Sequence, residues 1–143
     1  MKPTLVVDAS VAVKWLIPEP DSDRARALRG RFRLIAPQLI YAECANIIWK
    51  KSRRGDISAE EAGRIAALID DLDIEVASMR RLVTIATAFS TTLDHSAYDC
   101  IYLALAAAEG CPFVTADERL IQKLAREPGG VRFPPCVLLS HLT

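Results

Sequence analysis

Four carboxylates interrupt stretches of this chain that otherwise read as core. They are Asp8 in Leu5-Val6-Val7-Asp8-Ala9, Glu43 in Leu39-Ile40-Tyr41-Ala42-Glu43-Cys44-Ala45, Asp99 in Tyr98-Asp99-Cys100-Ile101-Tyr102-Leu103, and Asp117 in Phe113-Val114-Thr115-Ala116-Asp117. A buried carboxylate costs several kcal/mol unless it is paired or ligates a metal. No Lys or Arg adjoins any of the four in sequence. Brought together by a fold, such groups repel one another, and a divalent cation becomes their natural partner. A ligand set made only of oxygens favours Mg²⁺ or Mn²⁺ over zinc or copper.

Three of these acids also have an ordinary structural use. Asp117 is placed to N-cap a helix starting at Glu118. Asp99 follows Ser96 by three residues, the spacing of a capping box. Asp8 is placed to accept from backbone amides of the turn that follows it. Glu43 has no such use, because an acid on an apolar helical stripe caps nothing. Ser10 and Thr115 read as a helix-cap hydroxyl and a turn hydroxyl, with a second use in orienting an acid or a water. His95 and His141 match no ligand pattern and read as surface or loop histidines. Cys44, Cys100, Cys111 and Cys136 lack CxxC spacing, lie in apolar segments and read as buried reduced thiols without a role.

The elements that must position the acids are short. Leu5–Asp8 reads as a fully buried strand, followed by a helix capped by Ser10 and running through Trp15. A charged helix covers Asp21–Arg29 and stops at Gly30; Leu34–Ala36 is a second strand. Pro37 opens a long helix through Lys51 that closes at Arg53-Arg54-Gly55. Ser58 and Glu61 form a capping box for a helix ending near Asp71. Ile74–Val76 is a third strand, Met79–Thr91 an amphipathic helix, and Ser96 begins an almost wholly apolar helix that ends at Gly110. Phe113–Thr115 is a fourth strand, Glu118–Arg126 a short helix closed by Gly129-Gly130, and Val137–Leu139 a last strand. Short apolar strands alternating with helices predict a single-domain α/β protein over residues 1–143, a three-layer α/β/α sandwich on a short central parallel sheet. Open parallel sheets bind ligands beyond their strands' carboxyl ends, where strand order reverses. All four acids fall at that end.

Composition narrows the class further. Hydrophobic residues are 51% and charged residues 25% of the 143, which excludes disorder and suits a globular core. The formal net charge of +0 excludes a blanket of positive charge, so any nucleic-acid binding must use local basic patches. The Met1-Lys2-Pro3 start leads straight into a strand without a signal-peptide apolar region. The longest apolar run, Cys100 to Ala108, is far shorter than the roughly 20 residues of a membrane span. A cytoplasmic protein with no membrane association is expected.

Val7-Asp8-Ala9-Ser10-Val11 with Lys14-Trp15-Leu16, then Glu43, then Tyr98-Asp99-Cys100-Ile101-Tyr102-Leu103-Ala104, then Thr115-Ala116-Asp117-Glu118-Arg119-Leu120, resembles the PIN-domain nucleases. More narrowly the chain is similar to the VapC-type toxins of toxin–antitoxin pairs, in the right order across essentially its whole length. The resemblance implies a metal-dependent endoribonuclease with Asp8, Glu43, Asp99 and Asp117 as its catalytic acids and ligands of Mg²⁺ or Mn²⁺. Asp8 and Asp99 would contact the metal most directly, with Ser10 and Thr115 supporting. Water attack would leave a 5′-phosphate and a 3′-hydroxyl. Lys14, Lys50, Lys51, Arg53, Arg54, Arg80 and Arg119 are candidate contacts for RNA phosphates, which an acidic site needs nearby; the four on the long helix also suit its negative C-terminal end. The resemblance further implies a homodimer and a small VapB-like antitoxin whose apolar helix packs beside the site, with Trp15, Leu16 and Trp49 as groove candidates. A PIN-type RNA-processing nuclease and a non-cutting RNA- or protein-binding scaffold are the alternatives. A haloacid-dehalogenase-like phosphohydrolase ranks below them, since its second acid would fall on Ser10.

Overall fold

In the computed structural model, which describes residues 1–142, five strands form one parallel sheet in the order β3-β2-β1-β4-β5. They are β1 Thr4–Val7, β2 Arg33–Pro37, β3 Glu75–Ala77, β4 Phe113–Thr115 and β5 Cys136–Leu138. The helices are α1 Ala9–Leu16, α2 Ser22–Arg31, α3 Leu39–Arg53, α4 Ala59–Ala67, α5 Val83–Leu93, α6 Ala97–Glu109 and α7 Glu118–Arg126. Alternation along the strands divides the core. Leu5, Val7, Leu34 and Val114 pack with Ala25 and Leu28 of α2 and with Leu139. Val6, Ile35 and Phe113 face the other way, into the layer filled by Ile40, Cys44 and Ile48 of α3, Ala86 and Phe89 of α5, and α6. Strands buried on both faces need apolar residues at consecutive positions, which is why β1 reads as an unbroken run. The result is the expected three-layer α/β/α sandwich.

Helix α6 carries most of the second layer. Every residue from Cys100 to Ala106 is buried, and the Tyr102 ring stacks on Phe113 of β4 with centroids 5.7 Å apart. The helix stops at Gly110, whose φ of +64° is costly for any residue with a Cβ. The four cysteines are free thiols, three of them buried. No helix among the described residues is long and apolar enough to cross a membrane.

The structure shifts several boundaries. Asp8, not Ser10, is the N-cap of α1, because its carboxylate accepts from the Val11 N–H. Pro37 closes β2 rather than opening α3, which starts at Leu39; a residue without an N–H is tolerated at the end of a strand as well as at a helix start. The Ser58–Glu61 capping box is present, but α4 tightens at Leu68 into a 3-10 turn that carries it to Asp71. The Met79–Thr91 segment is likewise divided into a 3-10 turn at Arg80–Leu82 and then α5. Helix α2 passes through Gly30 to Arg31, and β5 begins one residue earlier than expected, at Cys136.

Strand order sets the place of the site. From β1 the chain builds outward to β2 and β3, then returns through α6 to β4 on the other side of β1. The crevice between the carboxyl ends of β1 and β4 is therefore the switch point of the sheet. Phe113 joins β4 to α6 across the core and is 1% exposed. Phe113→Ala is expected to destabilise the protein by about 3–5 kcal/mol through the cavity it leaves, measured by urea unfolding followed by circular dichroism.

Candidate active site

Asp8 leaves the end of β1, and only 8% of it is exposed. Its Oδ1 accepts from the Val11 N–H at 3.2 Å and from the Ser10 hydroxyl at 2.5 Å, while Oδ2 accepts from the Thr115 hydroxyl at 2.5 Å. Both hydroxyls are held in turn. Ser10 Oγ accepts from the Ala116 N–H at 3.1 Å, and Thr115 Oγ1 accepts from the Asp117 N–H at 3.0 Å. The turn after β1 is thus stitched to the turn after β4 through one carboxylate. Burial pushes the Asp8 carboxyl up to about 6, with the charge of Asp99 adding to the rise and the three hydrogen bonds opposing it.

Glu43 projects from the first turns of α3 and is half-buried. Burial raises its carboxyl above the usual range; the neighbouring Tyr102 hydroxyl partly offsets this, and the charge of Asp99 adds to it. The Tyr102 hydroxyl is buried beside Glu43. Its phenol is pushed far upward by burial and by the Glu43 charge. Asp99 sits in the first turn of α6, yet it takes no part in a capping box. Ser96 alone caps, accepting from the Tyr98 N–H, and Asp99 Oδ2 lies 2.6 Å from His95 Nε2. Asp117 caps α7, its Oδ1 accepting from the Arg119 N–H at 2.9 Å.

All four acids line one cleft of about 200 Å³, together with Ser10 and Lys50. None of the four forms an ion pair with a Lys or Arg among the described residues, and His95 is the one charge-capable partner, on Asp99. Cations instead flank the cleft on two sides. A hollow of about 400 Å³ shares Asp99 and Asp117 and adds His95 with Arg119, Lys123 and Arg126 of α7. Another of about 280 Å³ shares Ser10 and Lys50 and adds Lys14, Lys51 and Arg54. Lys14 and Lys51 both pair with Glu19, whereas Lys50 and Arg119 are exposed and have no ion-pair partner among the described residues. Arg53 stacks over the Trp49 ring at 4.7 Å, and neither it nor the exposed Arg80 lines the cleft or its flanks.

His95 lies in the loop between α5 and α6, as expected, but it is not a surface residue without a role. Its side chain is 9% exposed and lies in the site, and His95, Asp99 and Asp117 bring one ligand atom each within 4.8 Å of one another. The four-residue spacing to Asp99 was the available signal. Lys123 and Arg126 were also missed, because basic residues in the last turn of a helix are expected for its dipole alone. His141 lies in the 3-10 turn after β5, outside the site, and is exposed.

A PIN domain family model matches residues 5–127. The chain is 32% identical over 122 residues to Ribonuclease VapC3 of Pyrobaculum aerophilum, covering 83% of this chain and 93% of that one. It is 33% identical over 116 residues to Ribonuclease VapC9 of Mycobacterium tuberculosis, covering 81% and 87%. Among solved structures, VapBC2 of Rickettsia felis bound to a promoter DNA fragment shares the fold with a TM-score of 0.65, at 15% identity, over 94% of this chain and 98% of that one. FitAB bound to a DNA fragment matches with a TM-score of 0.67, at 12% identity, over 97% of each chain. With its acids gathered at the switch point of a five-stranded parallel sheet, the chain belongs to the PIN-domain family.

Proposed function

We propose that the chain, as one nuclease domain over residues 1–143, is a divalent-metal-dependent endoribonuclease and the toxin of a toxin–antitoxin pair. The observation that carries the reading is the single cleft shared by Asp8, Glu43, Asp99 and Asp117, none of which is ion-paired to a Lys or Arg among the described residues. The residues fit a hard cation. The four acids supply oxygen donors, and none of them is ion-paired to a Lys or Arg among the described residues. Mg²⁺ or Mn²⁺ would be held by Asp8 and Asp99, with Asp117 and Glu43 completing the set. When bound, such an ion supplies an activated water and offsets charge developing on the phosphate.

The chain's own residues do the rest. Ser10 and Thr115 hold both oxygens of Asp8, so that ligand cannot rotate away from the cleft. Its cap on α7 fixes Asp117 in the same way. Lys50 on one side and Arg119 on the other are free to take RNA phosphates flanking the cut, which keeps the polyanion from being repelled by the acids. Cleavage is expected to leave a 5′-phosphate and a 3′-hydroxyl. The relatives named as VapC ribonucleases, and the structural neighbours that are toxin–antitoxin complexes, support a small antitoxin as partner; a homodimer is part of the same proposal and rests on the family resemblance alone. Of the groove candidates, Trp15 is occupied in packing α1 on α2, its indole N–H donating to the Ala25 carbonyl at 2.6 Å, and Leu16 is half-buried. Trp49 is 52% exposed and is the more available of the two indoles.

Purified protein should cut RNA with Mg²⁺ or Mn²⁺ present, stop on addition of EDTA and resume when metal is restored. Asp8→Asn and Asp99→Asn should each lower kcat by more than the roughly 10–100-fold typical of a change one shell out. Undiminished cleavage by both variants overturns the reading, and metal binding by a parent protein that never cuts would assign a scaffold instead. A neighbouring short reading frame whose product co-purifies with the chain and inhibits it is the expected mark of the toxin.

Stability should respond in the opposite direction. A carboxyl raised from 3.8 to about 6 in the folded state prefers its proton there, so it binds more protons folded than unfolded between those values. Metal-free stability therefore falls as pH rises through that window, by up to about 3 kcal/mol from this group. Asp8→Asn, which has no charge to bury, should melt several degrees above the metal-free parent at pH 7. The gap should shrink as pH falls toward 4, as measured by calorimetry at a series of pH values.

A further inference from the structure

Three of the four acids have at least one carboxylate oxygen held by a donor built into the fold. For Asp8 the donors are the Ser10 and Thr115 hydroxyls, and for Asp117 the Arg119 N–H. For Asp99 the donor is a side chain that the acid motifs do not include. His95 Nε2 lies 2.6 Å from Asp99 Oδ2, and the other oxygen of Asp99 accepts from no described residue. A carboxylate has only acceptors to offer, so the imidazole donates this bond.

The backbone is arranged to bring the ring there. Helix α5 is C-capped by Asp94, one of two non-glycine residues with positive φ among the described residues, here 50°. That conformation costs an ordinary L-residue roughly 1–2 kcal/mol. It turns the chain so that the His95 N–H bonds back to the Ser90 carbonyl at 3.3 Å while the ring swings toward α6. The Asp94 carbonyl accepts from the Lys123 ammonium of α7, which fastens the turn to the element that carries Asp117. The ring lines the cationic hollow, which shares Asp99 and Asp117 with the acid cleft, and 9% of the side chain is exposed. Contacts to two other helices, from His95 to Asp99 of α6 and from the Asp94 carbonyl to Lys123 of α7, hold this turn in place.

Resting on the metal-site reading above, we propose that His95 is a positioning residue, which locks one oxygen of Asp99 so that the other is presented to the cation. Without it, Asp99 lies at the start of a helix with 33% of its side chain exposed and nothing else to fix its rotamer. A ligand that must be ordered on binding weakens the site, and residues that orient ligands typically change metal affinity by 10–100-fold.

The test reads metal binding directly. Titration calorimetry of metal-free protein with Mn²⁺ should give a Kd about 10–100-fold weaker for His95→Ala than for the parent. His95→Gln keeps an N–H for Asp99 and should bind Mn²⁺ within about threefold of the parent. In RNA cleavage at saturating metal, His95→Ala should lower kcat while leaving KM for RNA unchanged. Electron spin-echo spectroscopy of the Mn²⁺ complex should show no imidazole nitrogen coupling. Unchanged Mn²⁺ affinity in His95→Ala overturns the proposal. Failure of His95→Gln to restore affinity, or a nitrogen coupling in the parent, overturns it in favour of His95 as a direct ligand. Asp8→Asn serves as the control for the underlying reading: if it also binds Mn²⁺ like the parent, the metal site itself is wrong, and not only the role of His95.

Discussion

The carboxylate of Asp8 is the point on which the rest of the site depends. Two hydroxyls close on it, one from the turn after β1 and one from β4, and each hydroxyl is anchored by a backbone N–H of residues 116 and 117. Two adjacent parallel strands are thereby tied at their carboxyl ends through a group that is itself acidic. Charge-assisted bonds of this kind are among the strongest available to a side chain. They also have a structural consequence beyond Asp8. The same Thr115 hydroxyl that grips Oδ2 receives the Asp117 N–H, so the position of one acid sets the start of the helix that another acid caps.

Holding Asp8 in this way is compatible with function only because the compensation is incomplete. Three hydrogen bonds lower its carboxyl, yet burial outweighs them and leaves it near 6. Glu43 is raised as well, and both feel the charge of Asp99. The lysines nearest to these acids do not relieve them. Lys14 and Lys51 are drawn to Glu19, and Lys50 stays exposed at the rim. The fold thus keeps four carboxylates together with no Lys or Arg ion-paired to them among the described residues, an arrangement that favours an external cation. Stability for this arrangement comes from elsewhere, chiefly from α6, whose buried face locks β4 through the stacked Tyr102 and Phe113 rings.

What was legible in the sequence follows the range of the forces involved. Asp8 and Asp117 could be placed because strand ends and a parallel topology follow from apolar runs and their spacing. Glu43 could be placed because an acid among Leu39, Ile40 and Ile47 conflicts with the helical pattern around it. Ser10 was assigned the cap that Asp8 makes, since hydroxyl and carboxylate are comparably good caps and stand only two residues apart. Helix ends at Ala67 and Val83 moved because 3-10 turns differ from α-helix by a single hydrogen-bond register. His95 was misread for a different reason: beyond its spacing to Asp99, its position depends on the left-handed conformation of Asp94 and on a lysine from α7 that is distant in sequence.

The two cationic hollows sharpen what the central cleft can do. A net charge of +0 gives no long-range pull on a polyanion, so any attraction has to be local. Arg119, Lys123 and Arg126 lie four and three residues apart, which puts them on one face of α7, and that face opens on the same hollow as Asp99 and Asp117. Lys50, Lys51 and Arg54, in the last turn and at the C-cap of α3, line the other hollow, which shares Lys50 and Ser10 with the acid cleft. Cations that look like ordinary complements to two helix dipoles thus converge on the acids from both directions. One face of α7, beginning at the turn that Asp117 caps, and the last turns of α3 lie on either side of the cleft although they are distant in sequence. The strand order that creates the switch point also sets positive charge on both sides of the acids, and an extended anionic chain crossing the cleft would meet charge of opposite sign before and after it.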